Sequence, residues 1–301
     1  MRYIKPNLLF LFLPLAFMPD FAIELASSFF GTIGYLMIKG RRKTAILNAS
    51  FIIRDKFSKK TAKKIARKSF KNFVANTMYA IKFYFRSENY LKKHIKIENN
   101  TYKLSDLDGG IAVFSHLGNW ELIPQIACYM HLKGSAIYRP IDSPLADKLI
   151  KIIRKKGKIA LIPKRGAVAK SMQLLKEGYF VGIDGDQNVS KKEGIEADFL
   201  GLKAYTSKLP ALLARRSQKK IYPIFLISER PGRYRFIVEK EIIVPENMRN
   251  ELAIRAATEK INQIIGKYVK NYPEQWLLMH RRWKNRENEL KAAVEMVSLR
   301  K

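Results

Sequence analysis

The sequence predicts an α/β fold built on a mixed, mostly parallel sheet, and three observations lead there. From residue 109 onward, short apolar runs of β type alternate with segments of helical periodicity, the pattern of a parallel sheet with covering helices. A chain of 301 residues, 47% hydrophobic, suits one large domain with an appendage better than several small ones. Pro231-Gly232 separates two apolar runs by a turn, which predicts a hairpin and therefore an antiparallel element at one side of the sheet.

Taken in order, the expected strands are residues 111–114, 135–138, 159–162, 179–183 and 221–227, with 234–238 returning across the Pro231-Gly232 turn. Helices are expected at 119–131, 144–154, 167–176, 207–216 and 249–270. Upstream, residues 56–85 carry Lys59, Lys60, Lys63, Lys64, Arg67, Lys68 and Lys71 interleaved with Ile65, Ala66, Phe70, Phe73, Val74 and Ile81, the pattern of a basic amphipathic helix. Such a helix either lies on anionic headgroups or packs its apolar face inward and leaves its lysines in water; the two readings are compatible.

The N-terminus holds two uncharged apolar stretches, between Lys5 and Asp20 and between Glu24 and Lys39, each shorter than the roughly 20 residues a bilayer-spanning helix needs. Pro14, Pro19, Asp20 and Glu24 interrupt them, and Gly40-Arg-Arg-Lys43 closes the second as a cytoplasmic anchor would. We read a membrane-embedded or re-entrant segment, with a cleaved signal peptide and a buried hairpin as the alternatives. The chain thus divides into residues 1–43, the embedded or re-entrant segment; 44–108, the basic helical region; and 109–301, the α/β domain.

Composition narrows the partners. Fifty-seven Lys and Arg against 26 Asp and Glu give a net charge of +31, so a partner should be anionic: a nucleic acid, an anionic membrane, or an acidic protein and a phosphorylated substrate. The basic residues are spread along the chain without a nucleic-acid-reading motif, which argues against a membrane-tethered nucleic-acid-binding protein. The single cysteine, Cys128, excludes an intramolecular disulfide and a Cys-rich zinc site, and its helical, apolar context reads as core filling. No histidine has a partner at ligand spacing, so no metal is expected.

The chemistry-bearing stretch is His116-Leu-Gly-Asn-Trp-Glu121, where an apolar strand delivers an imidazole and a carboxylate to a strand-to-helix turn. A carboxylate in the first turn of the helix can reach back and hold the donor nitrogen of a neutral imidazole, leaving the other nitrogen free to take a proton from a hydroxyl. The pair His116 and Glu121 is therefore expected to work as a general base and the group that orients it. Arg154 and Arg165 flank a short strand, and the planar fork of arginine suits phosphate and carboxylate. Asp186-Gln187 follows a strand end, where α/β sites collect. Gly182-Ile-Asp-Gly-Asp186 lacks the Gly-Lys-Ser/Thr of a phosphate loop.

These motifs, in their order, resemble the lipid A late acyltransferases and, more loosely, the wider glycerolipid acyltransferases with a His-x4-acidic motif. The resemblance rests on His116-Leu-Gly-Asn-Trp-Glu121, Tyr138-Arg-Pro-x-x-Ser-Pro144, Arg154-x-x-Gly157 leading to Arg165, Asp186-Gln187, Phe199-Leu-Gly-Leu-x-Ala204 leading into a small-residue helix, and Pro273-Glu-Gln-Trp-Leu-Leu-Met-His-Arg-Arg-Trp-Lys284. It departs from the glycerol-phosphate branch in carrying Glu121 rather than Asp and in lacking a Phe-Pro-Glu-Gly type motif.

The resemblance implies a glycerol-phosphate-acyltransferase-like α/β sandwich with N-terminal membrane-associated helices, on the cytoplasmic face of an inner membrane. It also implies acyl transfer from a thioester to a hydroxyl on an acyl chain of a lipid A precursor, with no cofactor beyond the acyl thioester co-substrate. The donor would be acyl carrier protein, bound transiently, or coenzyme A; the acceptor would be an anionic phosphorylated glycolipid. His116 and Glu121 would be catalytic, with Arg154, Arg165, Asp186 and Gln187 around the substrates. The hydroxyl of another membrane lipid, a lysophospholipid, an aminolipid or a glycosylated phosphoinositide, is the alternative acceptor.

Overall fold

The computed structural model describes residues 12–98, 108–140 and 142–299. Its first helices, α1 (Leu13–Phe17), α2 (Asp20–Met37), α3 (Lys39–Ile52) and α4 (Lys59–Tyr84), form a layer against the sheet. The 26-residue α4 starts where Ser58 accepts a hydrogen bond from the Thr61 N–H, and it buries Ala62, Ala66, Ser69 and Phe70 while Lys59, Lys60, Lys63, Lys64, Arg67 and Lys68 face solvent. α2 lies on α4 through Ile23, Ser27 and Gly31, one residue per turn on a single face. Gly31 is required there: a Cβ would stand 2.6 Å from the Lys71 Cα. α2 meets α3 at a 100° bend, and no single helix among the described residues is long and apolar enough to cross a membrane. The other face of α2 presents Phe21, Leu25, Phe29, Phe30, Leu36 and Met37 to solvent.

After α5 (Glu88–His94), β1 (Ile95–Ile97) opens a seven-stranded sheet. The remaining strands are β2 (Gly110–Gly118), β3 (Gly134–Tyr138), β4 (Ala160–Pro163), β5 (Phe180–Asp184), β8 (Ile221–Arg230) and β9 (Arg233–Val238), in the order β1-β9-β8-β2-β5-β3-β4. β8, β2, β5, β3 and β4 are mutually parallel, whereas β9 runs antiparallel to β8 and β1 follows β9. The mixed, mostly parallel sheet expected from the sequence is therefore present, including the return across Pro231-Gly232. Central strands β2 and β8 are buried almost throughout, as strands covered on both faces must be.

Helices α6 (Ile123–Tyr129), α7 (Pro144–Lys156), α8 (Ala167–Lys176), α9 (Leu209–Ser217) and α10 (Asn250–Asn271) cover the sheet, and α11 (Glu287–Leu299) ends the described chain. Two expectations shift. The helix expected from residue 119 begins as a 3-10 turn, Trp120–Leu122, and becomes α-helical only at Ile123, with Pro124 in its first turn. The segment from Phe199 to Ala204 reaches the small-residue helix α9 by way of a second, antiparallel hairpin, β6 (Gly194–Phe199) and β7 (Leu202–Ser207), whose turn it carries. Leu200 and Gly201 both take positive φ there, and the alternating burial of Ala204 and Thr206 makes the stretch a strand.

The buried cluster joins the helical layer to the sheet: Phe51, Ile52, Ala66 and Phe70 pack in the same core as Ile111, Val113, Ile183 and Phe225. Trp276 and Trp283 are buried within it.

Candidate active site

β2 and β5 are paired with Phe114 opposite Asp184, so the residues just beyond, His116 and Asp186, meet past the carboxyl end of β5. The local backbone is irregular for a reason legible in the pairing. Between two registered contacts β2 runs from Phe114 to Gly118 while β8 runs only from Ile224 to Leu226, so β2 bulges at His116. Gly118 ends the bulge at φ +64°, where a Cβ would lie 1.8 Å from the Leu226 carbonyl oxygen. Asn119, fully buried, fastens the turn: its backbone N–H donates to the Leu226 carbonyl, and its side-chain amide donates to the Asn76 carbonyl on α4 and to the Tyr234 hydroxyl on β9.

The imidazole partner is Asp186. Its Oδ1 lies 2.9 Å from His116 Nδ1, and its Oδ2 accepts from the His116 backbone N–H at 2.9 Å and from Trp276 Nε1 at 2.8 Å. A carboxylate with these donors keeps the proton on Nδ1 of a neutral ring and turns Nε2 outward. Nε2 faces Gln187 Nε2 at 3.1 Å and Asp184 Oδ1 at 3.9 Å. An amide donating from Gln187 suits the neutral ring; rotated by 180°, the same amide offers its oxygen to the imidazolium.

The expected hold of Glu121 on the ring is corrected by this geometry. Glu121 forms a bidentate pair with Arg154, Oε2 to Nε at 2.9 Å and Oε1 to Nη2 at 2.8 Å, and also accepts from Trp120 Nε1 at 3.0 Å. The guanidinium fork engages both carboxylate oxygens. Glu121 therefore reaches His116 only through its charge and through Trp120, whose ring centroid is 5.0 Å from that of His116. Arg154 belongs to the site, as the partner of Glu121. Arg165 is exposed in the loop between β4 and α8 and does not line either cavity beside the site; its neighbour Lys164 does.

The charges are unequal in consequence. Burial opposes the imidazolium, but the Asp184 and Asp186 carboxylates outweigh it and hold His116 up to about 9. Burial raises Asp186 too, yet His116 and the hydrogen bonds from Trp276 and the His116 backbone bring it down to about 2. Burial pushes the Asp184 carboxyl up, against the pull of His116.

The segment from 276 to 283, within the Pro273–Lys284 motif, braces the Asp186 loop. Leu277 donates its N–H to the His116 carbonyl at 2.9 Å. His280 Nε2 accepts the Asn188 N–H at 2.9 Å, and desolvation lowers that imidazole to about 4, keeping it neutral as an acceptor must be. Arg282, with no exposed surface, donates to the Gln187 and Tyr205 carbonyls and to the Thr206 hydroxyl and Asn262 side chain. Burial lowers it only to about 10, so it remains a cation, set over the Phe199 ring at 4.7 Å.

Two cavities are lined by neighbours of the imidazole, one by Trp120 and the other by Asp184 and Gln187. A narrow apolar slot of about 70 Å³ runs beneath α6, walled by Ala112, Phe114, Ala136, Gly182, Ile224 and Phe236, with Trp120 and the Glu121–Arg154 pair also on its wall. A wider cleft of about 950 Å³ is lined by Asp184 and Gln187 beside Nε2, by apolar side chains from α8 and α9, and by several cations. The arrangement provides a held base with one nitrogen turned outward, next to both an apolar seam and an open polar cleft. No group of three or more His, Cys, Asp or Glu among the described residues is arranged to hold a metal.

The lipid A biosynthesis acyltransferase of Haemophilus influenzae is 24% identical over 209 residues, 68% of this chain and 66% of that one, so the match spans just under two thirds of that relative's length. A crystal structure of the 1-acyl-sn-glycerophosphate (LPA) acyltransferase from Thermotoga maritima is similar with a TM-score of 0.39 and 14% identity, over 85% of this chain and 97% of that chain. The family model for bacterial lipid A biosynthesis acyltransferases matches residues 4–285, and with nearly the whole chain covered the protein belongs to that family.

Proposed function

We propose that the protein transfers a fatty acyl group from an acyl thioester to a hydroxyl of a lipid A precursor, forming an ester, with His116 as general base. The observation that carries the reading is the imidazole held by Asp186 through Nδ1, its Nε2 turned to Gln187 and Asp184, which line the cleft, while Trp120 beside the ring lines the slot. An acceptor hydroxyl placed on Nε2, displacing the Gln187 amide, gives its proton to the ring as its oxygen attacks the thioester carbonyl. A C–O bond forms, the C–S bond breaks, and the proton passes from His116 to the departing thiolate. No covalent enzyme intermediate is required. General-base catalysis of this kind contributes about 10² to 10⁴ in rate, and holding the two substrates together contributes further.

The slot suits a fatty acyl chain in character. Its free volume holds only a few water-sized groups, so an entering chain must part its lining side chains. The +31 charge suits an acidic acyl carrier protein as donor and a phosphorylated glycolipid as acceptor, so the basic surface serves both substrates. The exposed apolar face of α2, beside Arg41, Arg42 and Lys43 at the start of α3, suits shallow insertion at the cytoplasmic face of an inner membrane.

The test is acyl transfer by the detergent-solubilised protein from acyl carrier protein and coenzyme A thioesters to tetra-acylated lipid A precursor, read by product mass. One added acyl group, lost in folded His116→Ala and Asp186→Asn, is expected. Transfer to a lysolipid alone would replace the acceptor, and full activity in His116→Ala would end the proposal.

A further inference from the structure

The strands that separate the two cavities alternate their side chains between them. On β3, Ala136 faces the slot and Ile137 the cleft; on β5, Gly182 faces the slot and Ile183 the cleft. Because neighbouring residues of a strand point to opposite faces, the slot and the cleft lie on opposite faces of the sheet, and a lining residue of each, Trp120 of the slot and Gln187 of the cleft, stands beside His116. Whatever fills the slot and whatever fills the cleft therefore meet the base from opposite sides.

The cleft has its own chemistry. One wall is apolar and half-buried, formed by Val168 and Met172 of α8 and Leu209 and Leu212 of α9. Four cations line it: Arg139 just beyond β3, Lys164 just beyond β4, Lys208 at the start of α9 and Arg216 near its end. Lys164 is neutralised by Glu193 at 2.5 Å. Arg139, Lys208 and Arg216 form no ion pair with any described residue, although 17 such pairs are made elsewhere or nearby, those of the catalytic carboxylates among them. Free cations are expected anywhere on so basic a chain. Three around one cavity that has an apolar wall and includes Gln187 and Asp184, the neighbours of Nε2, select an amphiphile with an anionic group.

We propose that Arg139, Lys208 and Arg216 hold a phosphate group of the acceptor lipid in this cleft, with an acyl chain of the same lipid along the α8–α9 wall, so that acceptor specificity is set on the face of the sheet opposite the acyl slot. The inference rests on the acyl-transfer reading above and assigns residues to its acceptor side. Two arginines favour phosphate through their bidentate fork, while Lys208 adds charge without fixing geometry.

The experiment compares wild type with the triple variant Arg139→Gln/Lys208→Gln/Arg216→Gln and with a charge-matched control, Lys60→Gln/Lys63→Gln/Lys64→Gln on the solvent face of α4. Each is assayed with bis-phosphorylated and with dephosphorylated tetra-acyl acceptor at saturating thioester. Partly exposed charges contribute modestly one by one, so together they should raise the KM for the phosphorylated acceptor by about tenfold. Every parameter with the dephosphorylated acceptor should stay at wild-type values, and in the control the two acceptors should change alike. Equal KM changes for both acceptors, or the same loss in the control, would overturn the assignment.

Equilibrium binding of the bis-phosphorylated lipid in detergent, without thioester, separates this inference from the reading it rests on. Binding that the triple variant loses upholds the cleft even if no transfer occurs, whereas equal binding by wild type and variant removes it. Competition by inorganic pyrophosphate at concentrations near the lipid's own KM would assign the cations to free phosphate instead of a headgroup.

Discussion

Asp186 holds His116 at two points, Oδ1 on ring Nδ1 and Oδ2 on the backbone N–H, each at 2.9 Å. One carboxylate thus fixes the tautomer, the ring orientation and the main chain that carries the ring. Asp186→Asn should lower kcat by about 10³ or more while the protein stays folded, because an amide in that place can present its NH₂ to Nδ1 and favour the wrong tautomer. Steady-state kinetics with a matched melting curve measures it.

Glu121 should behave differently. It is neutralised by Arg154 with only 14% and 19% of the two side chains exposed, so removing one partner strands a buried charge. Arg154→Met should destabilise by about 3 kcal/mol or more, and adding Glu121→Leu should recover much of that loss. Denaturant unfolding of the two single variants and the double variant tests the coupling. A His116 titration followed by NMR should shift far more in Asp186→Asn than in Glu121→Gln; the reverse order would restore Glu121 as the ring's partner.

The pH dependence has a definite sign. His116 stands at about 9, above its ordinary 6.5, so the free protein holds an imidazolium near neutrality and a base requires its loss. The ratio kcat/KM should therefore climb with pH on a limb near 9. Asp184→Asn removes the carboxylate facing Nε2 and should move that limb down by about one unit or more. The same shift bears on stability: the contribution of the charged ring is complete below 6.5 and is lost as pH rises through about 9. The difference in melting temperature between wild type and His116→Gln should shrink across that window. At the acid end, Asp186 at about 2 gives stability present above 3.8 and lost as pH falls through 2.

Gly118→Ala should fail at the backbone. A Cβ would collide with the Leu226 carbonyl at 1.8 Å, in a conformation of positive φ that alanine disfavours. A loss above about 1 kcal/mol is expected, together with activity, because the bulge that presents His116 cannot form. Circular dichroism melts and activity at a temperature below both transitions separate the two effects.

The sheet was legible because its strands are apolar runs between turn residues, a pattern set by burial on both faces and independent of partners. β1 and the β6–β7 hairpin were not. Ile95–Ile97 is a three-residue strand with a single buried side chain, and the β6–β7 hairpin turns at Leu200 and Gly201, both at positive φ, without the Asn-Gly or Asp-Gly pair that would mark it in the sequence. At the site, the sequence brought forward His116, Glu121, Arg154, Asp186 and Gln187, and all five gather there. What it could not supply was the pairing among them. His116 and Glu121 are near in sequence, which suggested a local contact, but the bulge in β2 directs the ring toward a residue 70 positions away. The two aspartates flanking Gly185 were the available signal, since carboxylates two positions apart at a strand end share a face and can converge on one side chain beside it.

The brace at residues 276–283 ties the site to the order in which the chain is made. Trp276 reaches back 90 residues to Asp186, and the Leu278 N–H reaches 209 residues to Ser69 on α4. During synthesis, the strand bearing His116 and the loop bearing Asp186 emerge long before the segment that locks them together, so the growing chain carries both members of the pair without their final support. Contacts of such sequence separation form late and slowly. A ribosomal product ending short of Trp276 would hold the reactive residues and most of the sheet, yet lack one of the donors that favour the Asp186 carboxylate, so competence waits for the segment that carries Trp276.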